Sequence, residues 1–324
     1  MTDHVLGLHH VTAIADDPRQ NIAFYTGVLG LRLVKVTVDV GDPGAYKLYC
    51  SSDVGQPGTL LAFYCWPGAC RGRSGTGQVS ATLLAVPPGS LDAWRQRLVA
   101  YGVPTQGPFP GPRAEAEAEW LSLSDPDGLT LELVAQPAMA APPAGTGGAL
   151  AADQAIRGLY GIRLWEESSE ATEAFLTKGL GLQLLDRSSH TACYSLEGMP
   201  TAVQVQVRKG PGVGRGLSVV GYVHHVAFRV RYEEDLNDYR ERLIAYAATV
   251  SSIQDYVYYQ AIRVKEPGGV RFELATDDPG VTLDESSEQL GMRLMLPRWL
   301  ESRRAEIQHA LPALKLPRGL MKYE

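Results

Sequence analysis

The chain has 324 residues, 45% of them apolar and 20% charged, with a formal net charge of −6 and a sequence pI near 5.7. That length exceeds one ordinary domain, and the acidic balance excludes the clustered Lys and Arg of a nucleic-acid or anionic-membrane surface, leaving a small molecule as the natural partner. No apolar stretch approaches the roughly 20 residues of a membrane helix, and Met1-Thr2-Asp3-His4 lacks a basic leader, so a cytoplasmic protein is expected.

In chain order, Leu8-His9-His10-Val11-Thr12 reads as a strand, and Asp16-Asp17-Pro18 starts a helix that Gly30 stops. Leu31 to Val40, Tyr46 to Cys50 and Thr59 to Trp66 read as strands, completing a βαβββ unit. The pattern restarts with a strand from Val79 to Val86. A helix from Ser90 to Tyr101 follows, burying Leu91, Trp94, Leu98 and Tyr101, then strands from Glu119 to Leu123 and Leu129 to Val134. Ala135 to Ala152 has linker composition and separates a half at 1–137 from a half at 153–324.

The second half repeats the first. Leu159 to Leu164 is a strand, Ser169 to Leu180 a helix, and Gly181-Leu182-Gln183 reuses the Gly30-Leu31-Arg32 transition. A further strand spans Ala202 to Val207. The fourth unit starts at Tyr222, has its helix at Glu234 to Tyr246, and carries strands near Tyr258 to Val264 and Gly269 to Ala275; Pro297 to Leu314 reads as an outer helix with Trp299, Leu300, Ile307 and Leu311 inward. Four modules in an α+β fold outrank any single-element reading. Cys50, Cys65, Cys70 and Cys193 lack CxxC spacing and read as reduced thiols.

Side chains alternate along a strand. In Val223-His224-His225-Val226-Ala227-Phe228, Val226 and Phe228 therefore share one face and His225 and Ala227 the other. In Val270-Arg271-Phe272-Glu273-Leu274, Glu273 takes the polar face. His10, His225 and Glu273 form a candidate set of two histidines and one carboxylate, as non-haem Fe(II) oxygenases use. For His9 and His224, packing and hydrogen bonding to that set are both open readings. His190 and His309 have no partner in sequence and read as surface or helix residues.

His9-His10-Val11-Thr12-Ala13, Phe24-Tyr25-Thr26-Gly27-Val28-Leu29-Gly30-Leu31, Pro57-Gly58-Thr59, His224-His225-Val226-Ala227-Phe228 and Glu266-Pro267-Gly268-Gly269-Val270-Arg271-Phe272-Glu273 resemble the vicinal oxygen chelate superfamily, and within it the hydroquinone-type ring-cleaving dioxygenases. The resemblance covers nearly the whole chain. It implies βαβββ modules paired into two half-barrel cups, Fe(II) held by His10, His225 and Glu273, and ring cleavage of a para-diol with O2. Self-association into a homo-oligomer is left open.

One metal is expected between modules one and four. Glu132 takes the place of Glu273 in module two, but Ser80 and Arg163 stand where its histidines would be, and Phe63 is expected at the fourth corner of the metal cup. The family's arginine, followed seven residues later by a tyrosine, appears here as Tyr256 and Arg263. Either the two side chains trade places or the proton chemistry changes, with Arg263 expected to point inward. A glyoxalase-like isomerase or lyase and a small-molecule-binding resistance protein are the rival functions. The first is disfavoured by the apolar fourth corner and the second by the ligand triad.

Overall fold

In the computed structural model, residues 5–110, 119–136, 150–196, 203–314 and 316 are described. The reading of 137–149 as a linker lies outside them. Two large sheets dominate. The first runs, in spatial order, Thr249–Val250, Tyr259–Lys265, Arg271–Pro279, Val223–Val230, Leu8–Ala15, Leu60–Cys65, Tyr46–Ser51 and Arg32–Val38, with Gln254–Asp255 also pairing Tyr259–Lys265. The second runs Gln183–Arg187, Thr191–Ser195, Gln204–Lys209, Gly158–Glu166, Gln78–Val86, Thr130–Ala135, Trp120–Ser124 and Thr105–Phe109. Each sheet therefore joins one module from each half of the chain: one with four, two with three. This is the α+β architecture of two paired half-barrel cups.

The helices pack on the outer, apolar faces of the strands. Asp17 caps Pro18–Ile22, its Oδ1 accepting from the Arg19 amide, and the chain then widens into a π-helix at Ala23–Val28. Glu170–Ala174 followed by the π-turn Phe175–Gly179 repeats that geometry. Both wide turns close in the same way: the Leu29 and Leu180 amides reach back to Phe24 and Phe175, and Gly30 and Gly181 take φ of 69° and 79°. A side chain is rarely tolerated there, which is why the two glycines stop both helices.

Some boundaries differ from expectation. Tyr101 and Trp299 are 53% and 54% exposed, outside the core assigned to them: Tyr101 follows the last buried turn of its helix, and Trp299 opens its own turn one residue before the inward Leu300. The tail is a tight 3-10 turn at Arg298–Arg303 leading into Arg304–Ala310, with Leu300, Ile307 and Leu311 inward. Strands at Thr105–Phe109 and Thr191–Ser195 lie outside the elements read from the sequence. None of the four cysteines forms a disulfide. Among the described residues no helix is long and apolar enough to cross a membrane.

Candidate metal centre

The two central strands of the first sheet, Leu8–Ala15 and Val223–Val230, run antiparallel, with Thr12 opposite His225 and His10 opposite Ala227. The next strand pairs parallel to the second of these, with Ala227 beside Glu273. His10, Ala227 and Glu273 thus form one row across three strands, with His225 one pleat away on the same face. Ala227 is fully buried. Its lone methyl leaves space between the flanking side chains.

Into that space point His10 Nε2, His225 Nε2 and Glu273 Oε2. The nitrogens are 3.2 Å apart, and the carboxylate oxygen lies 3.3 Å from His225 and 3.8 Å from His10. Donors about 2.1 Å from one ion and at right angles to each other would be about 3 Å apart, so this spacing suits three adjacent positions around a single metal. Glu273 Oε2 is buried and has no hydrogen-bond partner, whereas Oε1 accepts from Arg263 Nε at 2.9 Å. One oxygen is steered and the other is open.

The electrostatics fit the same role. Burial drives His10 and His225 well below the ordinary imidazole range, helped for each by the adjacent histidine and Lys47. Both are thus neutral and can offer a lone pair. Burial raises Glu273, opposed by Arg263 and Lys47. A cation delivered to the open oxygen would remove that penalty.

His9 and His224 contact the two candidate ligands, His10 and His225, rather than simply filling space. His9 Nδ1 shares a 2.8 Å hydrogen bond with His10 Nδ1, and His224 Nδ1 a 2.7 Å bond with His225 Nδ1. Each bond turns a ligand ring so that Nε2 faces the centre, the usual role of a partner on the far nitrogen. Strict alternation would have sent them to the opposite face. Two breaks in register, one at His9 between Leu8 and His10 and one at His224 between Val223 and His225, let neighbouring rings meet.

Arg263 points inward as expected, lies opposite Glu273 across the strand pair, and stacks over Tyr256 at 5.0 Å. Tyr256 Oη donates to Gln254 at 2.5 Å. One further residue, Lys47, escaped the sequence reading. Lys47 is 3% exposed, donates to Tyr259 Oη at 3.3 Å and lies over the rings of Tyr49, Tyr64, Tyr256 and Tyr259. A lysine on the cup-facing parity of the apolar strand Tyr46-Lys47-Leu48-Tyr49 was the available signal.

Two expectations are corrected by register. Phe63 faces the helix side, its ring tilted against Tyr25 with centroids 4.3 Å apart, while Ala62 occupies the fourth corner, opposite Thr12. The corner is apolar, but one residue earlier. In the second cup, Ala81 and Gly161 take the histidine positions rather than Ser80 and Arg163, since Leu83 pairs with both Glu132 and Gly161. A Cβ on Gly161 would lie 2.2 Å from the Gln204 carbonyl oxygen, so no histidine fits there. Arg163 instead forks onto Glu132, with Nη2 donating to Oε2 at 2.9 Å. A guanidinium neutralises that carboxylate. Among the described residues, His10, His225 and Glu273 form the one cluster with metal-ligand geometry.

Residues 7–133 and 162–274 match the profile of the Glyoxalase/Bleomycin resistance protein/Dioxygenase superfamily. The chain is 37% identical over 312 residues to the Bacillus subtilis protein named "Putative ring-cleaving dioxygenase MhqO", covering 96% of this chain and 97% of that one. It is 27% identical over 313 residues to the "Chlorohydroquinone/hydroquinone 1,2-dioxygenase" of Sphingobium indicum, covering 95% and 96%. A crystal structure described as a putative dioxygenase from Bacillus subtilis superposes with a TM-score of 0.89 at 36% identity, over 97% of this chain and 99% of that one.

Proposed function

Because the chain belongs to the glyoxalase/bleomycin resistance/dioxygenase superfamily, we propose that it is a cytoplasmic, Fe(II)-dependent dioxygenase that opens a para-dihydroxylated aromatic ring with O2. The observation that carries this reading is the convergence of His10 Nε2, His225 Nε2 and the unpartnered Glu273 Oε2 on one point. The full-length relatives named for ring cleavage support the choice of reaction within a superfamily of several chemistries.

His10, His225 and Glu273 would hold the iron from one side. The group they would hold would supply Lewis acidity toward a ring hydroxyl and a route for electrons from the ring to O2. The protein's own groups do the rest. Arg263 fixes Glu273 through Oε1, and His9 and His224 fix the two imidazoles through Nδ1. Lys47 Nζ and Tyr259 Oη form a buried donor pair that can hold a proton or steady negative charge on a ring oxygen. Tyr49, Tyr64 and Tyr259 wall the cup and keep bulk water away.

Anaerobic loading with Fe(II), followed by O2 uptake against hydroquinone, catechol and the methylglyoxal–glutathione adduct, tests the proposal. Uptake with hydroquinone is the expected result. Turnover of the adduct without O2 would replace it with isomerase chemistry.

A further inference from the structure

Lys265 and Arg271 face each other across the antiparallel pair Tyr259–Lys265 and Arg271–Pro279, both exposed. Like charges directly opposite on adjacent strands repel and weaken the sheet. Here the pair borders two adjoining cavities. One, of about 290 Å³, is lined by both cations together with His225, Arg263 and Glu273; the other adds Arg215 beside His224 and His225. Glu273 is the sole carboxylate among the residues lining either, and its two oxygens are already assigned to Arg263 and to the ion. A third cavity, on the Tyr64 and Trp66 side, carries Asp39 and Asp255 instead. One mouth of the cup is thus basic, in a chain of net charge −6.

We infer that this basic mouth binds an anionic substituent on the substrate ring, so that the diol this site takes bears a carboxylate arm gripped by Lys265 and Arg271. The inference rests on the ring-cleaving reading for the identity of the ring, and on the strand pair for the charge. Arg271 is two residues from Glu273 on one strand, a separation of about 6.6 Å on the same face. A single ring with one oxygen at the three-ligand point and a short arm meta to that oxygen spans about that distance. The cavity is near the lower limit for small-molecule pockets, which suits one ring. Arg271 offers a planar fork and Lys265 a point charge, the two ways a carboxylate is held by cations.

The test is calorimetric titration of the protein with 2,5-dihydroxyphenylacetate and its neutral amide, in low salt and in 0.5 M salt. The acid is expected to bind at least about tenfold more tightly than the amide, the scale of charge-assisted hydrogen bonds. Salt and the double change Lys265→Gln with Arg271→Gln should each erase most of that advantage. Equal affinities, or an advantage that survives the double change, would overturn the inference. Because the change removes a repulsive pair, the variant should melt no lower than the parent. If it does melt lower, Arg271→Lys is read instead, and an undiminished advantage there counts against a forked grip. Hydroquinone-dependent O2 uptake is measured alongside. Uptake without preference for the acid sinks the anion site and leaves ring cleavage standing; a cation-dependent preference with no uptake of either diol does the reverse.

Discussion

His10 and Glu273 lie two strands apart, yet their Nε2 and Oε2 atoms are 3.8 Å from each other, because Ala227 between them in the same row carries only a methyl group. The centre is therefore defined as much by the missing side chain as by the two that lean over it. Ala227→Val would put branched bulk into the gap. Extra methyl groups in a packed site typically cost about 1–3 kcal/mol, so the variant should still fold while losing iron, as read by metal analysis against the melting curve. Stoichiometric iron in folded Ala227→Val would show that the gap is not needed.

Arg263 tests how the carboxylate is steered. Its Nε occupies Glu273 Oε1 and leaves Oε2 free. Groups that orient a ligand are typically worth about 10- to 100-fold in metal affinity. Arg263→Gln should weaken Fe(II) binding within that range in a competition titration with a chelator, whereas Arg263→Lys should recover part of the loss. Affinity equal to the parent would mean that Glu273 is placed by the strand alone.

Much of this centre was legible in the sequence because strand alternation has a fixed period. Two His-His strands and a Glu on the polar parity were enough to pick His10, His225 and Glu273. Register was not legible. The sequence does not say where a strand slips by one residue, so Phe63 was chosen over Ala62, and Ser80 and Arg163 over Ala81 and Gly161, each shift moving a side chain to another face or row. Lys47 was missed because its partners are rings on other strands. The π-turns likewise depend on hydrogen bonds rather than on residue type.

In the second cup, Arg163 stands where the first cup would have an ion. Removing it leaves Glu132, which is 2% exposed, unpaired. Breaking such a pair from one side costs about 3 kcal/mol, less here because Arg163 is partly exposed. Arg163→Met should lower the denaturation midpoint, and adding Glu132→Leu should restore most of it. Additive losses in the double variant would show that the pair is not coupled.

Glu166 gives the pH prediction. Burial first, and then the Glu266 carboxylate, push it from 4.5 up to about 8. Glu266 itself accepts from Thr172 Oγ1 and from the amides of Gly268 and Val270. The folded state holds the Glu166 proton more tightly than the unfolded chain does. Its contribution is therefore fully present below pH 4.5 and is lost as pH rises towards 8, by on the order of 5 kcal/mol. Urea midpoints of Glu166→Gln should fall less over that window than those of the parent and exceed them at pH 8. Parallel pH curves would contradict the assignment.

The proposed ion sits on His10, His225 and Glu273 in the first cup, and the second cup holds none. Metal analysis of anaerobically loaded Glu273→Ala beside Glu132→Ala separates the two cups. Iron should be lost from Glu273→Ala and one equivalent kept by Glu132→Ala; iron kept by the first and lost by the second would place the centre in the other cup.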